Sequence, residues 1–192
     1  MKNTSEQSIQ AIFHDRWSPY AFDTSKPVVP QDLSSLFEAA RWAMSAYNEQ
    51  PWRYIVANRN TDPTLWKDVL ASLVEGNRSW AQHVPVLALG FVTPEFEKTG
   101  KPNDIAIHDL GAASAFLTIE ATARGLAVHQ MSGILPDVIG LNFPSAKSLQ
   151  PVTGLAIGYA GPNDQLDENI AMRDTRTRER KPLSDILLQA SL

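Results

Sequence analysis

The residues best suited to hold a ligand lie in one polar segment, residues 45–52, which reads SAYNEQPW. Its Ser, Asn and Gln side chains bring hydroxyl, carbonyl and amide groups together. A patterned helix is predicted directly before the segment and a short apolar strand directly after it. Because a rigid scaffold often presents its ligand site at such a junction, the segment predicts a polar binding loop.

Two segments near the ends of the chain carry arginines suited to phosphate. In residues 16–22, the permanently charged guanidinium of Arg16 stands two residues before the hydroxyl of Ser18. Residues 173–183 form a charge run that contains Arg178 and Arg180. The structural alternatives are an anchored N-terminal arm for the first segment and a solvated tail for the second.

A fourth segment, residues 131–134, stands between a predicted strand and a predicted short helix. Backbone N–H groups at such a helix start are good donors to a ligand. Gly133 has no side chain and therefore allows a ligand to approach the backbone closely. A plain strand-to-helix turn is the alternative interpretation of this segment.

Together the four segments resemble the nitroreductase family of FMN flavoproteins. Members of that family have Ser, Asn and then Gln-Pro-Trp at the spacing of residues 45–52, and the other segments match in order along almost the whole chain. The resemblance implies cofactor-binding roles in all four segments and assigns no catalytic side chain. The implied cofactor-binding residues are Arg16, Trp17, Ser18, Tyr20, Ser45, Ala46, Asn48, Gln50, Met131, Ser132, Gly133, Arg178 and Arg180.

By resemblance, the two ends of the chain hold the phosphate end of FMN. Arg16 and Ser18 are expected to contact the ribityl-phosphate, and Arg178 and Arg180 the phosphate. Tyr20 stands where the family usually has Arg or Lys, beside the flavin ring. A phenol donates a hydrogen bond but carries no charge, so the usual stabilisation of anionic reduced flavin is expected to be weaker.

By the same resemblance, the 45–52 loop lines the FMN held by a partner subunit. Ser45, Ala46 and Asn48 are expected at the flavin, with Asn48 hydrogen-bonded to the ring edge. Gln50 and Trp52 are expected to hold the loop in shape.

The resemblance places the 131–134 segment at the reacting part of the flavin. Ser132 and Gly133 are expected to point backbone amides at flavin N5 and O4. Asn77 resembles another polar residue on the flavin side.

The resemblance also implies an FMN-dependent oxidoreductase that is an obligate homodimer. Hydride is expected to pass from NADH or NADPH to the flavin, and then to an electrophilic acceptor such as a nitroaromatic or a quinone. Two alternatives of the same fold stay open. One is another flavoenzyme, such as an enone reductase or a dehalogenase, and the other is a non-catalytic protein that binds or stores FMN.

Composition limits the remaining classes of function. The 192-residue chain has a net charge of −4 and no Cys, so nucleic-acid binding, thiolate catalysis and Cys-ligated metals are not expected. No segment reads as a membrane span or a secretory signal, and the His residues show no metal-ligand spacing, so we expect a cytoplasmic protein without a metal. A hydrophobic content of 43% suits one domain over residues 1–192, with an extended C-terminal arm from about residue 162.

Apolar periodicity indicates an α+β sandwich with a central sheet. The resemblance specifies a nitroreductase-like three-layer sandwich whose sheet is mainly antiparallel and flanked by helices. The longest predicted helix, residues 109–124, is apolar nearly all round and should be buried, with Asp104 and Asp109 as caps and Gly125 as its end. The other predicted helices cover residues 31–44, 64–73, 135–139 and 184–190, with a further short helix that ends at residues 80–82. The predicted strands cover residues 53–57, 84–92, 126–130 and 152–159.

Overall fold

A four-stranded sheet forms the centre of the molecule. The computed structural model describes residues 5–190, so predictions that include residues 1–4 or 191–192 lie in part outside the described residues. The strands are β1 (Trp52–Asn58), β2 (Val86–Val92), β3 (Ala127–Met131) and β4 (Gln150–Gly158). They lie in the order β1–β2–β4–β3, and every neighbouring pair is antiparallel.

Eight α-helices in the described residues surround this sheet. Helix α2 begins at Pro30, whose missing N–H has no helical partner to lose in the first turn. The helices are α1 (Ala11–Asp15), α2 (Pro30–Arg41), α3 (Pro63–Ala71), α4 (Glu75–Ala81), α5 (Ala106–Ala123), α6 (Pro136–Asn142), α7 (Glu168–Asp174) and α8 (Leu183–Ile186). Short 3₁₀ turns lie at Ala46–Asn48 and Pro144–Ala146.

Both faces of the sheet are buried, which makes three layers. Along β2, Val86 and Ala88 face one side while Leu87 and Leu89 face the other, and all are at most 1% exposed. Residues of α2 and α5 cover the first face, and residues of α3, α4 and α6 cover the second. A strand covered on both faces reads as a continuous apolar run. The predicted α+β sandwich is confirmed.

Helix α5 lacks the predicted acidic caps. The residue before its first turn is Ile105, which makes no side-chain cap, and Asp104 is exposed outside the helix. Asp109 lies within the helix and is only 3% exposed. The cap prediction is wrong because the Asp109 carboxylate bonds to a neighbouring loop instead of to its own helix. Gly125 ends the helix as predicted, in the left-handed region with φ of 73°.

The C-terminal part of the chain contains two short helices, α7 and α8. Helix α7 was not expected there, and the Asp167 side chain caps it by accepting from the Ile170 N–H at 3.1 Å. Helix α8 ends at Ile186, before the predicted end of the last helix at residue 190. None of the helices within residues 5–190 is long and apolar enough to cross a membrane.

Candidate functional site

Three arginines from the two ends of the chain come together beside α1. Arg178 donates from Nη2 to the His14 carbonyl at 3.1 Å and from Nη1 to the Arg16 carbonyl. The pKa of Arg16 is lowered by burial first, and then by the like charges of Arg180 and Arg178. Within residues 5–190, no carboxylate forms an ion pair with Arg16 or Arg180. Like charges held together in this way suit a bound anion.

Arg16 and Ser18 line a cavity of about 390 Å³ between the N-terminal segment and the sheet. Arg16 Nη1 donates to Ser18 Oγ at 3.3 Å, so the guanidinium and the hydroxyl are side by side. Thr118 of α5 and Gln130 of β3 add polar groups to the wall. The remaining lining residues are apolar: Phe13, Ala115, Ile119 and Val128.

The N-terminal segment divides its side chains between two sides. Trp17 is not among the residues that line the first cavity, and it lines a second cavity, of about 600 Å³, together with Asp15 and Arg178. Tyr20 packs its ring edge-on against Trp80, at 5.2 Å between centroids, and against His129 at 4.7 Å. Tyr20 is therefore in part a packing residue, and its expected contact with a flavin stays a prediction.

Two partly buried polar side chains fix the backbone that follows Ser18. His129 of β3 lies 2.8 Å from the Pro19 carbonyl through Nδ1, which must carry the proton because a carbonyl only accepts. Asp174, at the end of α7, accepts the Tyr20 N–H at 2.6 Å. Burial lowers the pKa of His129 and raises the pKa of Asp174. The sheet and the C-terminal helix therefore position the arginine segment together.

The 45–52 loop is rigid and strained. Tyr47, Asn48 and Gln50 all have left-handed backbone conformations, with φ of 53°, 57° and 51°. Such conformations are costly for residues other than Gly, and they persist only where the surroundings impose them. The Gln50 N–H donates to Ser45 Oγ at 3.0 Å, and Gln50 Nε2 donates to the Asn48 carbonyl at 3.0 Å. Gln50 therefore ties the end of the loop back to Ser45 and Asn48.

Helix α5 anchors the same loop. The buried Asp109 carboxylate accepts the Ala46 N–H at 3.1 Å. The Asn48 side chain is exposed and makes no hydrogen bond to another described residue. The Asn48 amide therefore lies at the surface, on a loop whose backbone is held by hydrogen bonds to Asp109 and Ser45.

The 131–134 segment is packed against α4. The Gly133 carbonyl accepts the Val74 N–H at 3.1 Å and Asn77 Nδ2 at 3.0 Å. A Cβ at Gly133 would lie 2.6 Å from both Asn77 Nδ2 and Val74 Cγ2, so only Gly fits without a shift. Neither the Ser132 nor the Gly133 amide donates a hydrogen bond to another described residue. Two backbone donors are thus available to a ligand beside the buried Met131.

The loop and the arginine cavity lie at different ends of α5. Asp109, which holds the loop, and Thr118, which lines the cavity, are nine residues apart along the helix. At about 1.5 Å per residue, that separation is roughly 14 Å. One chain therefore brings together Arg16, Ser18, Arg178 and Arg180, but it does not bring the 45–52 loop to them.

The sequence does not predict the roles that several residues of these regions have. Gln130 and Thr118 line the cavity, while His129, Asp174 and Asp109 fix backbone at a distance in sequence. Gln130 directly precedes the predicted 131–134 segment, and this position could have identified it as a candidate site residue. The long-range partners of the other residues give no local sequence signal.

Comparison with known proteins agrees with this fold. The model of the nitroreductase family matches residues 14–88. The chain is 34% identical to the major NAD(P)H-flavin oxidoreductase of Aliivibrio fischeri, over 92% of this chain and 97% of that protein. The chain belongs to the nitroreductase family.

Solved structures of nitroreductases and related proteins have the same fold. An oxidoreductase described as containing FMN has a TM-score of 0.88 and 32% identity, over 96% of this chain and 92% of that one. A nitroreductase family protein from Clostridium difficile has a TM-score of 0.72 over 97% of this chain and all of that one. At 20% identity, the second likeness concerns the fold alone.

Proposed function

We propose that this nitroreductase is an FMN-dependent NAD(P)H oxidoreductase. The observation that carries the proposal is the group of Arg16, Arg178 and Arg180 beside a cavity lined by Ser18. The names of two relatives support it, since one is an NAD(P)H-flavin oxidoreductase and the other is an oxidoreductase containing FMN.

The donor set suits a flavin mononucleotide. Guanidinium groups bind phosphate through charge-assisted hydrogen bonds, and three of them match a dianionic phosphate monoester. The backbone amides of Ser132 and Gly133 suit acceptor atoms on the edge of a flat ring. Bound FMN would supply the hydride chemistry, while the protein positions it and excludes water.

The separation between the loop and the arginine cavity supports a homodimer with shared sites. In such a dimer, Asn48 and its loop would reach the FMN held by the partner's arginines. The outer side of α5 offers a surface for the contact, because Ile107, Gly111 and Ala115 recur four residues apart and are all exposed. Ile107 is 48% exposed, which is unusual on the central helix of a domain.

The proposed reaction takes electrons from NADH or NADPH to an electrophilic acceptor. A nitroaromatic or a quinone is the proposed class of acceptor, as the family resemblance implies. No side chain is required to exchange protons with the acceptor in this proposal, since the flavin carries the redox chemistry.

The test begins with the flavin that the purified protein carries. Chromatography of the supernatant after denaturation should give FMN, and light scattering should give about twice 21.2 kDa. Under anaerobic conditions, NADH or NADPH should bleach the flavin, and a nitroaromatic or a quinone should restore the colour. Finding FAD, or no flavin after incubation with excess FMN, would contradict the proposal.

Incomplete results would point to the alternatives. FMN that neither nicotinamide reduces would favour a non-catalytic FMN-binding protein. Reduced flavin that only an enone or a halogenated compound reoxidises would favour another flavoenzyme of this fold.

A further inference from the structure

A ladder of polar groups crosses the otherwise apolar interior between α5 and the sheet. Ser114 and Thr118 are 1% and 5% exposed, although most of their neighbours on α5 are apolar. The Tyr54 hydroxyl lies 3.2 Å from Ser114 Oγ, and Thr118 Oγ1 donates to the Ser114 carbonyl at 2.7 Å. Gln130, from β3, completes the ladder at the wall of the arginine cavity.

The ladder fixes which way the Gln130 amide points. Gln130 Nε2 lies 3.3 Å from the Ser114 carbonyl and 3.1 Å from Thr118 Oγ1. Because a carbonyl oxygen can only accept, the atom facing Ser114 must be the NH₂ group. The oxygen Oε1 is therefore directed elsewhere, and it accepts no hydrogen bond from another described residue.

An amide oxygen held in this way selects a particular kind of partner. It is uncharged and accepts only, so it suits a hydroxyl that donates and does not suit a phosphate, which at neutral pH mainly accepts. The phosphate-binding groups Arg16 and Ser18 line the same cavity. A ligand with hydroxyls next to a phosphate therefore fits both ends of this wall.

We propose that Gln130 Oε1 accepts a hydrogen bond from a hydroxyl of the ribityl chain of the flavin. This inference rests on the proposed function, because it concerns the cofactor proposed for that cavity. Thr118 acts as a positioning residue. Its hydroxyl accepts from the Gln130 amide and donates to the Ser114 carbonyl, so it has no proton left to donate to the ligand. Ile119 and Val128 make the neighbouring wall of the cavity apolar.

A purely structural role for Gln130 makes a different prediction. The same contacts tie β3 to α5, so the ladder could serve the fold alone. A structural role affects every flavin equally, whereas a hydrogen bond to the ribityl chain affects only ligands that have one.

The experiment compares three ligands on protein from which bound flavin has been removed. FMN has a phosphate, a ribityl chain and a ring; riboflavin lacks the phosphate; lumiflavin has only the ring with a methyl group. Gln130→Met keeps the length of the side chain and removes the acceptor, and Gln130→Leu is a second variant. Gln82→Met is the matched control, because Gln82 is an exposed glutamine at the end of α4, outside the cavity.

Gln130→Met and Gln130→Leu should raise the Kd for FMN and for riboflavin by the same factor. A factor of about 3 to 10 is expected for the loss of one hydrogen bond between neutral groups. The Kd for lumiflavin, and all three values for Gln82→Met, should stay within about twofold of wild type.

Three outcomes would overturn the inference. An equal loss for all three flavins would make Gln130 a structural tie, and no loss for FMN or riboflavin would remove it from the site. Wild-type protein that binds none of the flavins would overturn the proposed function as well. Either of the first two outcomes, found while the wild-type protein binds FMN tightly, would overturn this inference alone.

Discussion

The arginine cavity and the 45–52 loop use opposite means to prepare for a ligand. Arg16 lines the cavity, and the like charges of Arg178 and Arg180 lie near enough to lower its pKa. The loop carries little charge and is held in a strained backbone by its own hydrogen bonds and by Asp109. We therefore expect the cavity to supply most of the binding energy for a ligand and the loop to supply its orientation.

The largest expected effect is at the cavity. Arg16→Ala removes a charge-assisted donor, worth about 1.5 to 3 kcal/mol, so the Kd for FMN should rise by roughly 10- to 150-fold. Riboflavin, which has no phosphate, should lose much less affinity. Fluorescence titration of flavin-stripped protein measures both values. Arg173→Ala is the control, because Arg173 is exposed on α7 and does not line the cavity.

Equal losses for FMN and riboflavin would contradict the assignment of Arg16 to the phosphate. A loss for Arg173→Ala as large as that for Arg16→Ala would mean that only the total positive charge matters.

A smaller effect is expected where the loop is anchored. Asp109→Ala leaves the Ala46 N–H without its acceptor, so the free energy of unfolding should fall by about 1 to 3 kcal/mol. FMN affinity should fall because the loop is no longer held. Urea denaturation and flavin titration measure the two effects. Asp104→Ala is the matched control, since Asp104 precedes the same helix but is exposed.

If Asp104→Ala and Asp109→Ala had the same effect on unfolding, the Asp109–Ala46 contact would not be what holds the loop.

Next in size is the effect of filling the space beside Asn77. Gly133→Ala places a Cβ 2.6 Å from the Asn77 and Val74 side chains, so those side chains must shift, at a cost of about 1 kcal/mol or more. Thermal unfolding should show the loss. Gly76→Ala is the contrasting variant, because nothing lies within 4 Å of its Cβ and α4 contains it. Alanine is the better helix former there, so Gly76→Ala should be neutral or stabilising.

If Gly133→Ala is as stable as wild type or more stable, the Asn77 and Val74 side chains can move aside without cost, and the predicted steric clash is absent.

The smallest expected effect concerns pH. Burial lowers the pKa of His129 from its ordinary value of 6.5. The unfolded chain therefore binds a proton more readily than the folded protein, and stability is lost as the pH falls below about 6.5. One such group contributes at most about 1.4 kcal/mol per pH unit. Burial raises the pKa of Asp174, so its contribution to stability increases as the pH falls through the acid range, opposite to that of His129.

Urea denaturation between pH 7.5 and roughly 5.5 tests this, with His129→Asn as the variant. The variant keeps an N–H that can reach the Pro19 carbonyl, and it should lose less stability across that range. The slope that remains should include His83, whose pKa burial also lowers. Identical slopes for wild type and variant would contradict the role given to His129.

Sequence alone predicts most of the fold because its signals are local. The apolar periodicity predicts α2, α3 and α5, and the continuous apolar run predicts β2 as a strand buried on both faces. The end of α5 at Gly125 follows from the conformational freedom of glycine. Helix α1 and helix α7 escape prediction because they are short and their apolar residues show little periodicity.

The candidate site is less predictable because its contacts join distant parts of the chain. The resemblance drew attention to Arg16 and Arg178, but their meeting through the Arg16 carbonyl is a feature of the folded structure. Asp109 looked like a helix cap, and only the fold shows that it holds Ala46. Tyr20 is predicted to lie beside the flavin, and its packing on Trp80 of α4 gives no local sequence signal.

The most direct test of the account asks whether the cavity and the loop serve the same site from different subunits. Chains carrying Arg16→Ala and chains carrying Asn48→Ala are given different tags and produced together, and the mixed dimers are isolated. If sites are shared across the interface, each mixed dimer has one site with both lesions and one intact site. The account predicts half the wild-type number of tight FMN sites, with wild-type affinity. A mixed dimer without any tight site, because each site carries one of the two lesions, would contradict it.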